Sequence, residues 1–118
     1  MGGLFGFLGA RSDPGLEGIT NAARKAVDSA IEKRKPSLEA EKGILVMMRS
    51  GMVDSRAFWS PLDRLAGVYR DLKVFDKITP ISVEIWMYID SIEDKMKRFE
   101  AMRQYREFCS KYGLNTTS

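Results

Sequence analysis

The stretch Asp13–Pro36, DPGLEGITNAARKAVDSAIEKRKP, decides the fold class. Aspartate is a favourable N-cap, and proline at the first helical position gives up no intrahelical hydrogen bond. Leu16, Ile19, Ala23, Ala26, Val27, Ala30 and Ile31 then recur at three- and four-residue spacing, the period of a helix with one apolar stripe. Arg24, Lys25, Asp28, Glu32 and Lys33 fall off that stripe. Because the stripe is rich in alanine, whatever packs on it must come close. Lys33-Arg34-Lys35 places positive charge where the helix dipole favours it, and Pro36 ends the segment.

Downstream, a second segment runs from Ser37 to about Ser50, with Leu38, Ile44, Leu45, Met47 and Met48 as its apolar content. Ile44–Met48 has the composition of a buried strand. The residues Leu38-Glu39-Ala40-Glu41-Lys42 before it favour helix, however, and no second strand is available to pair with it. Gly51 is placed to cap this helix, and a short turn carrying Phe58 and Trp59 follows. Ser60-Pro61-Leu62-Asp63 joins a serine N-cap, a proline at the first helical position and an acidic residue three after the cap. Leu62, Leu65, Ala66, Tyr69 and Leu72 continue at helical spacing from there.

Thr79-Pro80 repeats the device and predicts a last and longest helix over about 80–112, with Gly113 ending it. Ile85, Ile89, Ile92, Met96 and Phe99 alternate four- and three-residue steps, the seam of a bundle helix. The pattern then drifts through Met102, Tyr105 and Cys109, which favours a long bundle helix over a coiled coil. The expected fold is therefore all-α: a small bundle of about four helices over residues 13–113, with a long C-terminal helix. A glycine- and aromatic-rich segment at 1–12 precedes it, and a polar tail at 114–118 follows.

Composition bounds the function. A chain of 118 residues with 44% hydrophobic and 30% charged residues is expected to fold as one domain. It has no apolar run long enough to cross a bilayer. The net charge of +3 is too slight for bulk attraction to nucleic acid. Cys109 is the single cysteine, so no intrachain disulfide and no cysteine-based metal site are expected. With no secretory signal, this points to a reducing intracellular compartment rather than secretion. Histidine is absent, which removes the commonest general acid/base, the commonest zinc ligand and every imidazole-based triad. The expectation is a protein without catalytic site, metal, cofactor or small-molecule substrate.

Residues 1–12 are the unusual part. Leu4, Phe5, Phe7 and Leu8 crowd into ten positions, interleaved with glycine and with no charge before Arg11. Such a segment suits a membrane interface or a protein groove. The run Gly3-Leu4-Phe5-Gly6 resembles the opening of some viral fusion peptides, a short similarity that implies no shared fold. Gly2 has the position of a myristoylation site, although Gly6 stands where that motif wants serine or threonine.

The basic residues Arg24, Lys25, Lys33, Arg34 and Lys35 form a second candidate, an edge suited to anionic lipid or a phosphate backbone. A solvated helix end completing its dipole is the plainer reading, and it is preferred. Met47, Met48, Met52, Met87, Met96 and Met102 are read as core fillers, with an adaptable binding groove as the alternative. Trp59 and Trp86 are read as core anchors. Glu84, Asp90, Glu93 and Asp94 read as solvated charge, with Glu93–Lys97 and Asp94–Arg98 at ion-pair spacing.

Together these features predict a non-enzymatic structural or accessory subunit. It would dock through Gly2, Leu4, Phe5, Phe7 and Leu8 on a larger protein assembly or at the periphery of a membrane, as a complex subunit or a viral matrix- or virion-like component. Two alternatives remain open: an adaptor or inhibitor acting through a methionine-rich helical surface, and a weakly basic nucleic-acid-associated module.

Overall fold

The computed structural model describes residues 14–114. Among the described residues five α-helices follow one another: α1 (Pro14–Lys33), α2 (Leu38–Met47), α3 (Arg56–Asp71), α4 (Thr79–Asp90) and α5 (Lys95–Tyr112). A π-helical turn at Met48–Met52 prolongs α2, and a 3-10 turn at Phe75–Lys77 leads into α4. Among the described residues there is no strand. The all-α expectation holds, and the Ile44–Met48 ambiguity resolves to helix. The molecule measures 43 × 37 × 19 Å, so its thin dimension is about two helix diameters.

Helix spacing is set by side-chain size. The alanine stripe of α1 packs on α2 with Val27 and Ala30 buried beside Ala40 and Ile44. At the tightest point a Cβ built on Gly43 would lie 2.8 Å from the Ala23 carbonyl oxygen. The close approach expected of an alanine-rich stripe is met by a glycine on the partner helix. Between α3 and α5 the filling is aromatic instead. Trp59 packs edge-on to Tyr105, with ring centroids 6.4 Å apart, and lies 5.9 Å from Phe108. Its indole N–H donates to the Val53 carbonyl at 2.6 Å.

Two boundaries depart from the sequence expectation. First, α3 does not start at Ser60-Pro61. Its N-cap is Ser55, whose hydroxyl accepts from the Ala57 N–H at 3.0 Å, and Pro61 lies inside the helix. The early start carries Phe58 and Trp59 into the core, where both are buried. Burying each aromatic contributes about 1.5–3 kcal/mol. A proline in a helix interior costs about 3 kcal/mol, so two aromatics offset one proline. The carbonyl that Pro61 leaves without a helical partner belongs to Ala57, which is exposed to water.

Second, the long helix over 80–112 is two helices. A continuous helix of that span would be about 50 Å long, more than the longest dimension of the molecule, 43 Å. The chain breaks at Ser91–Asp94 instead. The Ser91 hydroxyl donates to the Tyr88 carbonyl at 2.6 Å, closing α4. Asp94 opens α5, its carboxylate accepting from the Met96 and Lys97 N–H groups at 3.0 and 3.1 Å. The Arg98 guanidinium donates to the Ile92 carbonyl at 2.6 Å and ties down the turn. Asp94 is thus occupied as a cap and Arg98 as a clamp, in place of the ion pair their spacing suggested.

Three helices end alike. The N–H groups of Lys35, Val74 and Leu114 each reach back five residues, to the carbonyls of Ala30, Tyr69 and Cys109. The preceding residue in each case has positive φ: Arg34 at 52°, Lys73 at 63° and Gly113 at 71°. This is the Schellman closure, and only the last uses the glycine that the conformation favours.

Candidate docking surface

The break between α4 and α5 splits the apolar seam in two. Ile85 and Ile89, on α4, are buried, and Ile92 is half-buried in the turn. Beyond it, α5 turns a different face inward, burying Ala101, Tyr105, Phe108 and Cys109. The remaining seam residues are left outside: Met96 is 80% exposed and Phe99 70%. On α4, Val83 and Met87 are 52% and 59% exposed. The expectation that the seam is continuous core is therefore corrected. So is the reading of the methionines as core fillers, which holds for Met47 and Met48 but not for Met87 and Met96. Trp59 is buried as expected, whereas Trp86 is only half-buried against the core.

Isolated exposed apolar residues are ordinary on a protein surface; a connected group is not. Met96 and Phe99 are neighbours one turn apart on α5. Phe99 and Met102 line an open groove of about 880 Å³ that runs along α5 to Leu114, with Asp90 of α4 at its margin. From Lys95 to Ser110 the groove follows the helix for about 22 Å by helical rise, the length of a four-turn helix.

The charge around this groove is unbalanced. Arg103 is held between Glu100 and Glu107, with 2.6 Å to the Glu107 carboxylate. Its hydrogen bond to Glu100 is the main cause that holds the Glu100 carboxyl below the usual range. Of the three, only Arg103 and Glu107 line the groove, and there their charges cancel. Lys95, Arg98 and Arg106 remain on the groove with Asp90. Lys95 and Arg106 have no ion-pair partner among the described residues.

A second hollow, of about 460 Å³, lies between α3 and α5, and many of its polar groups are already engaged. Lys111 pairs with Asp63 at 2.9 Å, the Tyr112 hydroxyl lies 2.8 Å from the Asp63 carbonyl, and the Gln104 amide donates to the Asp54 carbonyl at 3.0 Å. These contacts fasten α5 to α3. Cys109 is fully buried, and burial pushes its thiol pKa up, away from the reactive thiolate. Among the described residues no group of three or more acidic or cysteine side chains is placed to hold a metal, and no helix is long and apolar enough to cross a membrane.

The sequence-derived anchor Gly2, Leu4, Phe5, Phe7 and Leu8 lies outside the described residues. Arg24, Lys25, Lys33, Arg34 and Lys35 are all exposed. At about 100° per residue, Arg24 and Lys33 point to opposite sides of α1, with Asp28 and Glu32 exposed between them. Arg34 is paired with Asp71 at 2.9 Å. The five thus lie on α1 or just past its end, but not on one face. Sequence reasoning noticed Met96 and Phe99 but placed them inside. The signal that could have moved them was Asp94, a residue well suited to cap a new helix and break the seam at that point.

No family model, no curated protein and no solved structure matches this chain.

Proposed function

We propose that this chain is a non-enzymatic accessory or structural protein that works by docking on a larger protein assembly, and that the α4–α5 face is a principal contact. The observation that carries this reading is the pair Met96 and Phe99, 80% and 70% exposed one turn apart on α5, with Phe99 lining an open groove. Large flexible and aromatic side chains of this kind are costly to leave in water and are enriched at protein contacts. The apolar segment with Leu4, Phe5, Phe7 and Leu8 supplies a second anchor, on the same assembly or on a membrane surface beside it. The adaptor or inhibitor reading uses the same α4–α5 face and differs only in the partner's role. A nucleic-acid role draws less support, since Arg24 and Lys33 diverge around α1 and Arg34 is paired.

The test is the size at which the full chain migrates in an extract of the cells that make it. It is expected to migrate well above its 13.4 kDa mass, and the double substitution Met96→Gln with Phe99→Gln is expected to return it to monomer size. Liposome flotation of the full chain against a version starting at Asp13 reports separately on the membrane. Monomeric migration of the native chain together with failure to float would overturn the proposal.

A further inference from the structure

We infer that the groove on α5 receives an acidic amphipathic helix from a partner protein, an inference that rests on the α4–α5 face being a docking surface. The shape indicates a helix: an open trough of about 880 Å³ follows α5 along a line as long as four helical turns, with the apolar side chains of Phe99 and Met102 and the end residue Leu114 along it. An inserted helix would set residues at i, i+3 or i+4, and i+7 against those side chains.

The charge indicates its sign. Within the groove lining the charges of Arg103 and Glu107 cancel, and Lys95, Arg98 and Arg106 stand against Asp90 alone. Arg98 spends one N–H on the Ile92 carbonyl and keeps the rest of its guanidinium for another group. A second copy of this chain is a poor occupant, because a two-fold contact would set this basic excess against itself. A flat bilayer can meet the exposed Met96 but leaves the trough unfilled. A helix carrying leucine or phenylalanine on one face and aspartate or glutamate on its flanks satisfies both the trough and the three cations.

The experiment is a selection from a displayed library of helical peptides, about four to five turns long, against the full chain. Binding of the selected peptides to the full chain and its variants is then measured by fluorescence anisotropy at low and moderate salt. Enriched peptides are expected to pair apolar anchors at helical spacing with acidic flanks. Their affinity should fall at least tenfold with Phe99→Ala, and severalfold with Arg106→Glu or Lys95→Glu. It should weaken with salt, because the rim charges are exposed. Both Phe99 and Arg106 are exposed, so these variants are expected to fold as the native chain does.

Enriched peptides that depend on Phe99 but are basic or neutral would overturn the acidic partner while leaving the docking face standing. Peptides indifferent to Phe99, or none enriched, would sink both. Self-association of the full chain that Phe99→Ala abolishes would assign the groove to a second copy. Phe99-dependent binding to vesicles of phosphatidylcholine and phosphatidylserine would assign it to a membrane. Peptide binding seen only in a version starting at Asp13 would assign it to the chain's own Leu4–Leu8 segment. Each of these three results overturns the inference.

Discussion

Gly43 is the position where one atom matters most. It lies inside α2, where alanine would ordinarily be better by about 1 kcal/mol. A Cβ there would sit 2.8 Å from the Ala23 carbonyl oxygen, which is backbone and cannot turn aside. Overpacking of this kind costs about 1–3 kcal/mol, so Gly43→Ala is expected to lower the thermal midpoint; a rise would mean that α1 and α2 can separate freely. Lys73 is the opposite case. It is exposed, carries φ of 63° and closes α3 where glycine is the favoured residue. Lys73→Gly is expected to stabilise the fold by about 0.5–1 kcal/mol, because the left-handed conformation penalises a Cβ. Denaturant titration of both variants tests the pair, and the two glycine effects should have opposite signs.

At the scale of the element, the apolar period showed where helices exist, and capping chemistry showed less reliably where they start. Although α4 takes Thr79 as its first residue and Ile78, without a side-chain hydrogen bond, as its cap, the helices at Asp13-Pro14 and Thr79-Pro80 begin where expected, within a residue. Ser60-Pro61 carries the same signature and does not, because the burial of Phe58 and Trp59 pulls the helix start back to Ser55. A cap contributes about 1 kcal/mol and two buried aromatics several times that, so tertiary packing decides. The split of the last helix escaped the sequence for a related reason. Ile85 to Phe99 keeps a regular apolar spacing across the break, and periodicity cannot register that the chain turns beneath it. This is also why the candidate surface was legible as a set of residues but not as a surface. Asp94 now holds the N-terminus of α5 through two hydrogen bonds. Asp94→Ala is expected to cost about 1 kcal/mol and to increase amide exchange first in the opening turn of α5. Exchange unchanged at Met96 and Lys97 would show the cap to be dispensable.

At the scale of the whole molecule, tyrosines fasten the helices and make the fold sensitive to alkali. The Tyr69 hydroxyl accepts from the Ser37 N–H and lies 2.8 Å from the Glu41 carboxylate, binding α3 to the start of α2. Burial, the larger cause in each case, pushes Tyr69 and Tyr105 up to about 12, and Tyr112 is raised as well. The folded state therefore favours the neutral phenol. Its contribution is fully present below the ordinary tyrosine value of 10.0 and is lost as pH rises from there to about 12. Tyrosinate absorbance is expected to appear together with cooperative unfolding in that window. Tyr69→Phe should destabilise the protein at neutral pH by about 1–2 kcal/mol, and the deficit should shrink above pH 10. A constant deficit would show that Tyr69 does not titrate with unfolding.

The same molecule carries two phenylalanines on α5 that separate stability from docking. Phe108 is 5% exposed and packs on Trp59 and Tyr112, at 5.9 and 5.0 Å between ring centroids. Phe108→Ala is expected to cost about 3–5 kcal/mol, as large-to-small changes in a packed core do. Phe99 is 70% exposed on the other side of the same helix. Phe99→Gln should leave the unfolding free energy within about 0.5 kcal/mol, as surface changes do, while abolishing whatever contact that face makes. Denaturant titration gives the first quantity and migration of the chain in extract gives the second. If Phe99→Gln destabilises the isolated chain as strongly as Phe108→Ala, then Phe99 is packed within the fold, and the α4–α5 face has no free apolar surface to offer a partner.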